Sequence, residues 1–152
     1  MLNRSGRPKT FLTGDEKQRI VESIRVVETK TSGEIRVHLD RHCVSGAPVQ
    51  GARTTFDRLG MHATREKNSV LIYLAVHDRV FAVVGDTGLD GKFDASFWEG
   101  VREKMATAFA QDKFGEGIAG AVAQIGEKLA VAFPHTDADK SRHPDEISMG
   151  KH

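Results

Sequence analysis

Residues 70–84 read VLIYLAVHDRVFAVV, and this stretch decides the fold. The first seven residues are all apolar and several are β-branched, which is typical of a central strand covered on both faces. A second apolar segment, residues 80–84, follows after only His77, Asp78 and Arg79. Because three residues are too few for a crossover between parallel strands, the two segments are predicted to form an antiparallel hairpin in the middle of a sheet.

The segments around this hairpin predict one further strand and four helices. Residues 33–40 alternate apolar and polar side chains, which predicts a strand with one face in water. Apolar residues at helical spacing predict a helix over residues 13–30, another over residues 52–66, and two more between Asp94 and Pro134. This order of elements predicts a single-domain α/β fold, a three-layer α/β/α sandwich with a small mixed sheet.

Polar segments bound the domain at both ends. The chain has 152 residues, the common size of one domain, and residues 11–134 hold all of its periodic segments. Residues 1–10 are basic and aperiodic, while residues 135–152 are polar with isolated apolar positions. Both ends are therefore predicted to be disordered tails.

Composition and charge exclude several classes of protein. With 22 basic and 21 acidic residues the net charge is +1, which provides no general attraction to nucleic acid or to an anionic bilayer. The longest apolar run, residues 70–76, is far short of the roughly 20 residues of a spanning helix, and residues 1–10 lack the apolar stretch of a secretory signal. The single cysteine, Cys43, excludes an internal disulfide. We predict a cytoplasmic protein that neither spans a membrane nor binds nucleic acid.

The turn after the hairpin, residues 85–94 (GDTGLDGKFD), has the residue types of a metal site. It contains three carboxylates, Asp86, Asp90 and Asp94, and three turn-forming glycines, Gly85, Gly88 and Gly91. Carboxylates are hard oxygen ligands, and glycines allow a loop tight enough for several of them to converge on calcium or magnesium. The pattern is not an EF-hand, because the third ligand position is Gly88 and Phe97 replaces the final glutamate.

A structural interpretation of the same turn stays open. Asp94 or Ser96, with Glu99 completing a capping box, would stabilise the start of the next helix and bind no ion. A second pair, His62 and Glu66, is spaced to share a face of the predicted helix, where a solvated pair is favoured over a metal site.

Five blocks of sequence, in order, resemble the TPM domain family. They are FLTGDEKQRI (residues 11–20), TSGEIRV (31–37), MHATREKNSVLIYLAV (61–76), VVGDTGLDGKFDASFW (83–98) and GEGIAGAVAQIGEKLAVAFP (115–134). The resemblance implies an α/β/α sandwich with a glycine-rich acidic turn associated with divalent metal. The positions that match this turn are Gly85, Asp86, Gly88, Asp90 and Asp94, and Glu34 matches an acidic position in the family's first-strand motif.

The resemblance implies no single function, because members of the family include a thylakoid acid phosphatase, photosystem II repair proteins and an auxiliary protein of acetylcholine receptors. This chain is most similar to the small bacterial branch. The first hypothesis is an accessory domain in which a calcium-like ion held by Asp86, Asp90, Asp94 and Glu34 orders the turn as a recognition surface. One alternative is a metal-dependent acid phosphatase that hydrolyses phosphate monoesters. The other is a metal-free interaction module that docks on a protein partner, for instance a membrane protein.

Overall fold

The structure is a computed structural model, which describes residues 4–43, 46–135 and 147–150. Its four strands are β1 (Glu34–Asp40), β2 (Ser69–Ala75), β3 (Val80–Gly85) and β4 (Ser148–Met149). They form one sheet in the order β3-β2-β1-β4. Strand β1 is parallel to both β2 and β4, whereas β3 is antiparallel to β2. The predicted mixed sheet and its antiparallel hairpin are confirmed.

The hairpin between β2 and β3 is connected by the four residues 76–79, which include His77, Asp78 and Arg79. Arg79, the last residue of this connection, has a φ of 57°, a left-handed conformation that is uncommon for a residue with a side chain. All seven residues of β2 are buried, as expected of a strand with a layer on each side. The hairpin therefore fixes the point at which His77 and Asp78 leave the sheet.

Three long helices cover one face of the sheet. They are α2 (Gly14–Glu28), α4 (Ala95–Ala110) and α5 (Phe114–Ala132), and a short helix, α1 (Pro8–Phe11), precedes them. The helix predicted to begin at residue 13 does so, since Thr13 is the N-cap of α2 and Glu16 completes a capping box with it. Side chains of these helices and of the strands form the larger apolar core, which includes Ile24, Ile72 and Ile125.

A single helix, α3 (Pro48–Arg58), covers the other face and packs on β2 and β3. The smaller core between them includes Phe56, Met61 and Tyr73. Helices on both faces confirm the three-layer prediction, but the predicted bounds of this helix, residues 52–66, are wrong at both ends. Pro48 is favourable in a first helical turn, and Gly60, with a φ of 70°, follows the last turn.

Strand β1 is less exposed than its alternating pattern predicted. Its polar residues Glu34 and Arg36 are half-buried, but His38 and Asp40 are buried. The His38 ring lies between two partners, since Nε2 is 2.8 Å from Asp40 Oδ1 and Nδ1 is 2.8 Å from the Ser148 hydroxyl of β4. The prediction that the polar side chains of β1 face water is therefore wrong for His38 and Asp40, where β4 pairs with the strand.

Both predicted tails contain ordered structure where the structure describes them. In the first, Arg4 pairs with the carboxylates of Glu16 at 2.6 Å and Asp112 at 2.8 Å, and helix α1 begins at Pro8. In the second, residues 147–150 include β4, while residues 136–146 and 151–152, like residues 1–3, lie outside the described residues. The prediction of disorder is therefore wrong for residues 4–10 and 147–150.

Candidate functional site

The predicted acidic turn lies at the edge of the sheet where β1 and β2 begin and β3 ends. Glu34 pairs in register with Ser69, and the Asp86 N–H donates to the Ser69 carbonyl at 2.9 Å. Residues paired directly across neighbouring strands share one face of a sheet. Glu34, Ser69 and Asp86 therefore form one row, on the face that α3 covers.

Asp86 holds the most buried carboxylate of the predicted set. Its side chain is 0% exposed. Oδ1 accepts a hydrogen bond from the Thr87 N–H at 2.7 Å and lies 3.0 Å from Nδ1 of His62. Oδ2, like the buried Ser69 hydroxyl in the same row, has no hydrogen-bond partner among the described residues. A buried polar atom without a partner costs about 1–3 kcal/mol, and more when charged, so a ligand for these oxygens would stabilise the site.

The backbone of the turn fits closely against the loop before β2. The Gly88 N–H donates to the Lys67 carbonyl at 2.7 Å. A Cβ atom at position 88 would lie 2.1 Å from the Glu66 carbonyl oxygen and 2.3 Å from that of Lys67, so only glycine fits there. Lys67 itself has a φ of 52°, an uncommon conformation for a side-chain-bearing residue. The predicted role of Gly88 in the turn thus has a physical reason.

The other two predicted carboxylates do not join Asp86. Asp94 is the N-cap of α4, where Oδ1 accepts from the Phe97 N–H at 2.9 Å, a bond that lowers the pKa of Asp94. Asp90 is exposed at the end of a 3-10 turn, Thr87–Leu89. The ligand atoms of the three aspartates do not gather within 4.8 Å of one another. The predicted convergence is wrong, and the capping role of Asp94 is confirmed.

His62 lies at the opening beside Asp86. Because α3 ends at Arg58, His62 and Glu66 do not share a helical face as the longer predicted helix required. The His62 side chain is 50% exposed, with Nδ1 toward Asp86 and Nε2 2.6 Å from Oδ1 of Asp57. We call Glu34, Ser69, Asp86 and His62 together the Asp86 site.

Two basic side chains border the Asp86 site. Arg53 Nη1 donates to the Gly85 carbonyl at 2.9 Å, and Lys67 Nζ donates to the carbonyl of His62. Both cations lie at the rim, beside the buried carboxylate. The buried negative charge favours a cation inside the site, whereas the positive charges at the rim favour an anionic group at the opening.

A second cluster, which the sequence interpretation missed, lies at the opposite edge of the sheet. His42, His77 and Asp78 form the one group of three metal-ligating side chains whose ligand atoms lie within 4.8 Å of one another in the described ranges. Asp40 pairs in register with Ala75, and each histidine comes two residues after its strand. The register of β1 and β2, once known, therefore brings the two histidines to matching positions. We call these three residues the histidine cluster.

Comparison with known proteins identifies the family. The model of the TPM domain matches residues 7–128, most of the chain. The chain belongs to the TPM domain family. This TPM domain is similar in structure to the BA42 protein of the psychrophilic bacterium Bizionia argentinensis, with 36% identity and a TM-score of 0.85 over 96% of this chain and 100% of that one. No curated protein matches the chain.

Two more distant structures share the fold of this TPM domain. One is an N-terminal domain from Corynebacterium glutamicum, at 15% identity and a TM-score of 0.55 over 93% of this chain and 81% of that one. The other is an N-terminal domain from P. gingivalis, at 17% identity and a TM-score of 0.62 over 87% and 83% of the two chains. These two likenesses concern the fold alone. Within the described residues, the TPM domain has no helix long and apolar enough to cross a membrane.

Proposed function

We propose that this TPM domain binds a hard divalent cation, calcium or magnesium, at the Asp86 site. The observation that carries the proposal is the buried Asp86 carboxylate, one of whose oxygens has no hydrogen-bond partner among the described residues. Removing a carboxylate from water is costly unless a cation or hydrogen bonds compensate it. A bound cation would supply that compensation and stabilise the adjoining turn as a surface for a protein partner.

The donors at this site suit a hard cation. Asp86 Oδ2 and the Ser69 hydroxyl are the first two oxygens, and Glu34, in register with Ser69, would bring a second carboxylate from β1. The carbonyls of residues 66 and 67, which lie against Gly88, are the backbone type of ligand that calcium also accepts. Asp90 and Asp94 have no part in this ligand set.

A titration with matched variants tests the proposal. Calcium and magnesium would be titrated calorimetrically into the wild-type chain, Asp86→Asn and Asp90→Asn. We expect Asp86→Asn to weaken binding at least tenfold, because the substitution removes the only fully buried charge of the site. Asp90→Asn removes an exposed charge from the same turn and is expected to change affinity less than twofold.

The thermal unfolding of the same three proteins gives an independent readout. A ligand that binds only the folded state at 100 times its Kd stabilises it by about 2.7 kcal/mol. Wild type and Asp90→Asn should show this increase with calcium, and Asp86→Asn should not. Equal binding by wild type and Asp86→Asn, or no binding by the wild type, would show the proposal to be wrong.

A second candidate function is the hydrolysis of phosphate monoesters, favoured by the basic rim. Arg53 and Lys67 would bind phosphate oxygens, and the half-exposed His62 is a candidate for moving a proton at the opening. A divalent ion, when bound, would add charge that neutralises the phosphoryl group.

The assay for this activity compares wild type with Arg53→Gln on a chromogenic phosphate monoester, with and without magnesium. If the domain is an enzyme, Arg53→Gln should reduce kcat/KM at least tenfold while leaving calorimetric metal binding intact. Metal binding by the wild type without any turnover would eliminate the enzyme and retain the accessory domain.

A further inference from the structure

We propose that the histidine cluster is a second metal site, and that it takes a borderline transition-metal dication of the zinc type. It lies at the edge of the sheet where β1 and β2 end, away from the Asp86 site, and its donors are different. The proposal is independent of the cation-binding function proposed above.

The ligand atoms are already close to the spacing that a tetrahedral ion requires. Zinc bonds of about 2.0–2.2 Å place two tetrahedral ligands about 3.3–3.5 Å apart. Asp78 Oδ1 is 3.5 Å from His77 Nδ1 and 2.9 Å from His42 Nδ1. The first separation matches, and the second needs only a small outward movement of the exposed His42 ring.

The backbone holds the three side chains together. Beyond the strands, the pairing of β1 and β2 continues, since Val76 N–H donates to the Asp40 carbonyl at 2.8 Å and His77 N–H to the Arg41 carbonyl at 2.9 Å. This pairing aligns the segments that carry His42 and His77. The tight hairpin then places Asp78 next to both rings, so little order has to be gained on binding.

A hydrogen bond orients the Asp78 carboxylate. Oδ2 accepts from the Cys43 N–H at 2.7 Å, which leaves Oδ1 facing the two imidazoles. An outer hydrogen bond that fixes a ligating carboxylate in this way is a usual feature of protein metal sites.

The donor set and its exposure select the kind of ion. Two imidazoles and one carboxylate suit zinc and its neighbours, whereas calcium and magnesium take oxygen ligands. The side chains of His42, His77 and Asp78 are 55%, 52% and 33% exposed, so water can reach a fourth ligand position. The hairpin cation Arg79 stacks on the Phe11 ring at 4.9 Å.

Calorimetric titration of zinc into the full chain tests the site. His42→Gln and His77→Gln are each expected to weaken binding at least tenfold, and Asp78→Asn to weaken it similarly while its amide oxygen can still accept from the Cys43 N–H. His135→Gln, an exposed histidine outside the cluster, is the matched control and should leave the affinity within twofold. Circular dichroism without metal would verify that each variant is folded. His42→Gln is the substitution least able to disturb folding, because the His42 ring is exposed.

Cobalt supplies a readout of coordination. Cobalt bound by two imidazoles in a tetrahedral site gives ligand-field absorption that His42→Gln should abolish, and Cys43→Ser should leave it unchanged. Asp86→Asn, which tests the other site, should bind zinc as the wild type does. The inference is wrong if the wild type does not bind zinc, if the His42→Gln and His77→Gln variants bind it unchanged, or if binding requires the Cys43 thiol.

Discussion

The two edges of one sheet differ in what they offer a ligand. At the edge where β1 and β2 begin, the Asp86 carboxylate is fully buried among oxygen donors. At the opposite edge, the side chains of the histidine cluster are one third to one half exposed, and two of the three are imidazoles. Helix α3 and the loop after it enclose the first edge, while a four-residue hairpin connection leaves the second open.

This difference separates two ways of building a site. The Asp86 site depends on the packing that encloses it, because the cost of a buried carboxylate is what a cation would relieve. The histidine cluster depends on the identity of its ligands, because exposed side chains gain little from packing. Changes to the fold and changes to ligands should therefore affect the two edges unequally.

The largest expected effect comes from closing the space at Gly88. In Gly88→Ala the new methyl group would overlap the carbonyl oxygens of Glu66 and Lys67, which are backbone atoms and cannot rotate aside. We expect a loss of about 3 kcal/mol in the free energy of unfolding, measured by urea denaturation, with loss of calcium binding. Zinc binding to the folded protein should persist at the other edge.

The control for this prediction is Gly120→Ala. Nothing lies within 4 Å of the Cβ position of Gly120, on an exposed face of α5. Alanine is favoured over glycine in a helix by about 0.5–1 kcal/mol, so this variant should be slightly more stable than the wild type. If Gly88→Ala were as stable as Gly120→Ala, the enclosed state of the first edge would be contradicted.

An intermediate effect is expected from acid at the second edge. Burial by itself would raise the pKa of Glu16. Hydrogen bonds from Arg4 and from the Thr13 and Gly115 N–H groups outweigh burial and lower the pKa from an ordinary value of 4.5 to about 2. Its stabilisation is therefore present above pH 4.5 and lost as the pH falls toward 2. Because the Arg4 and Glu16 pair is partly screened by solvent, we expect a contribution of about 1–2 kcal/mol.

Urea denaturation between pH 6 and pH 2.5 measures this contribution. The difference in stability between wild type and Glu16→Gln should shrink as the pH falls. Since Arg4 anchors the segment whose Gly6 packs on the His77 ring, the acid-weakened protein should loosen first at the histidine cluster, as amide hydrogen exchange would report. A constant difference across this range would contradict the assignment.

The smallest effect is expected at Asp94. Removing the helix cap in Asp94→Ala should lower the Tm by about 2–5 °C, because the Phe97 N–H loses its acceptor. Calcium affinity should not change, since Asp94 lies outside the Asp86 site. A tenfold loss of calcium affinity, measured calorimetrically, would instead show that Asp94 is a ligand of the ion as well as a helix cap.

Much of the fold was predictable because the deciding signals are local. Seven apolar residues and a three-residue connection were sufficient for the hairpin, and Thr13 marked the start of α2. The bounds of α3 were missed because they are set by Pro48, which favours the start of a helix, and by Gly60, which favours its end. Neither residue contributes to the apolar spacing from which the helix was predicted. Strand β4 was missed because two residues in a polar segment have no periodicity to detect.

The sites were less predictable, since they depend on tertiary neighbours. The composition of residues 85–94 indicated Asp86 as a candidate ligand. Spacing alone could not decide whether the Asp94 side chain would join Asp86 or cap helix α4, as it does. The histidine cluster requires the register between β1 and β2, which the sequence does not contain. The cytoplasmic location and the protein partner stay predictions.

The short strand β4 has a practical consequence for anyone who shortens this protein. Ser148–Met149 occupies the outer side of β1, and the Gly150 N–H donates to the Leu39 carbonyl at 2.9 Å. A chain cut before residue 147 would leave those backbone groups of β1 open to strands of other molecules, and His38 would lose its serine partner. We expect such a truncation to self-associate in sedimentation experiments, so the polar C-terminal segment is best kept even where only the folded core is wanted.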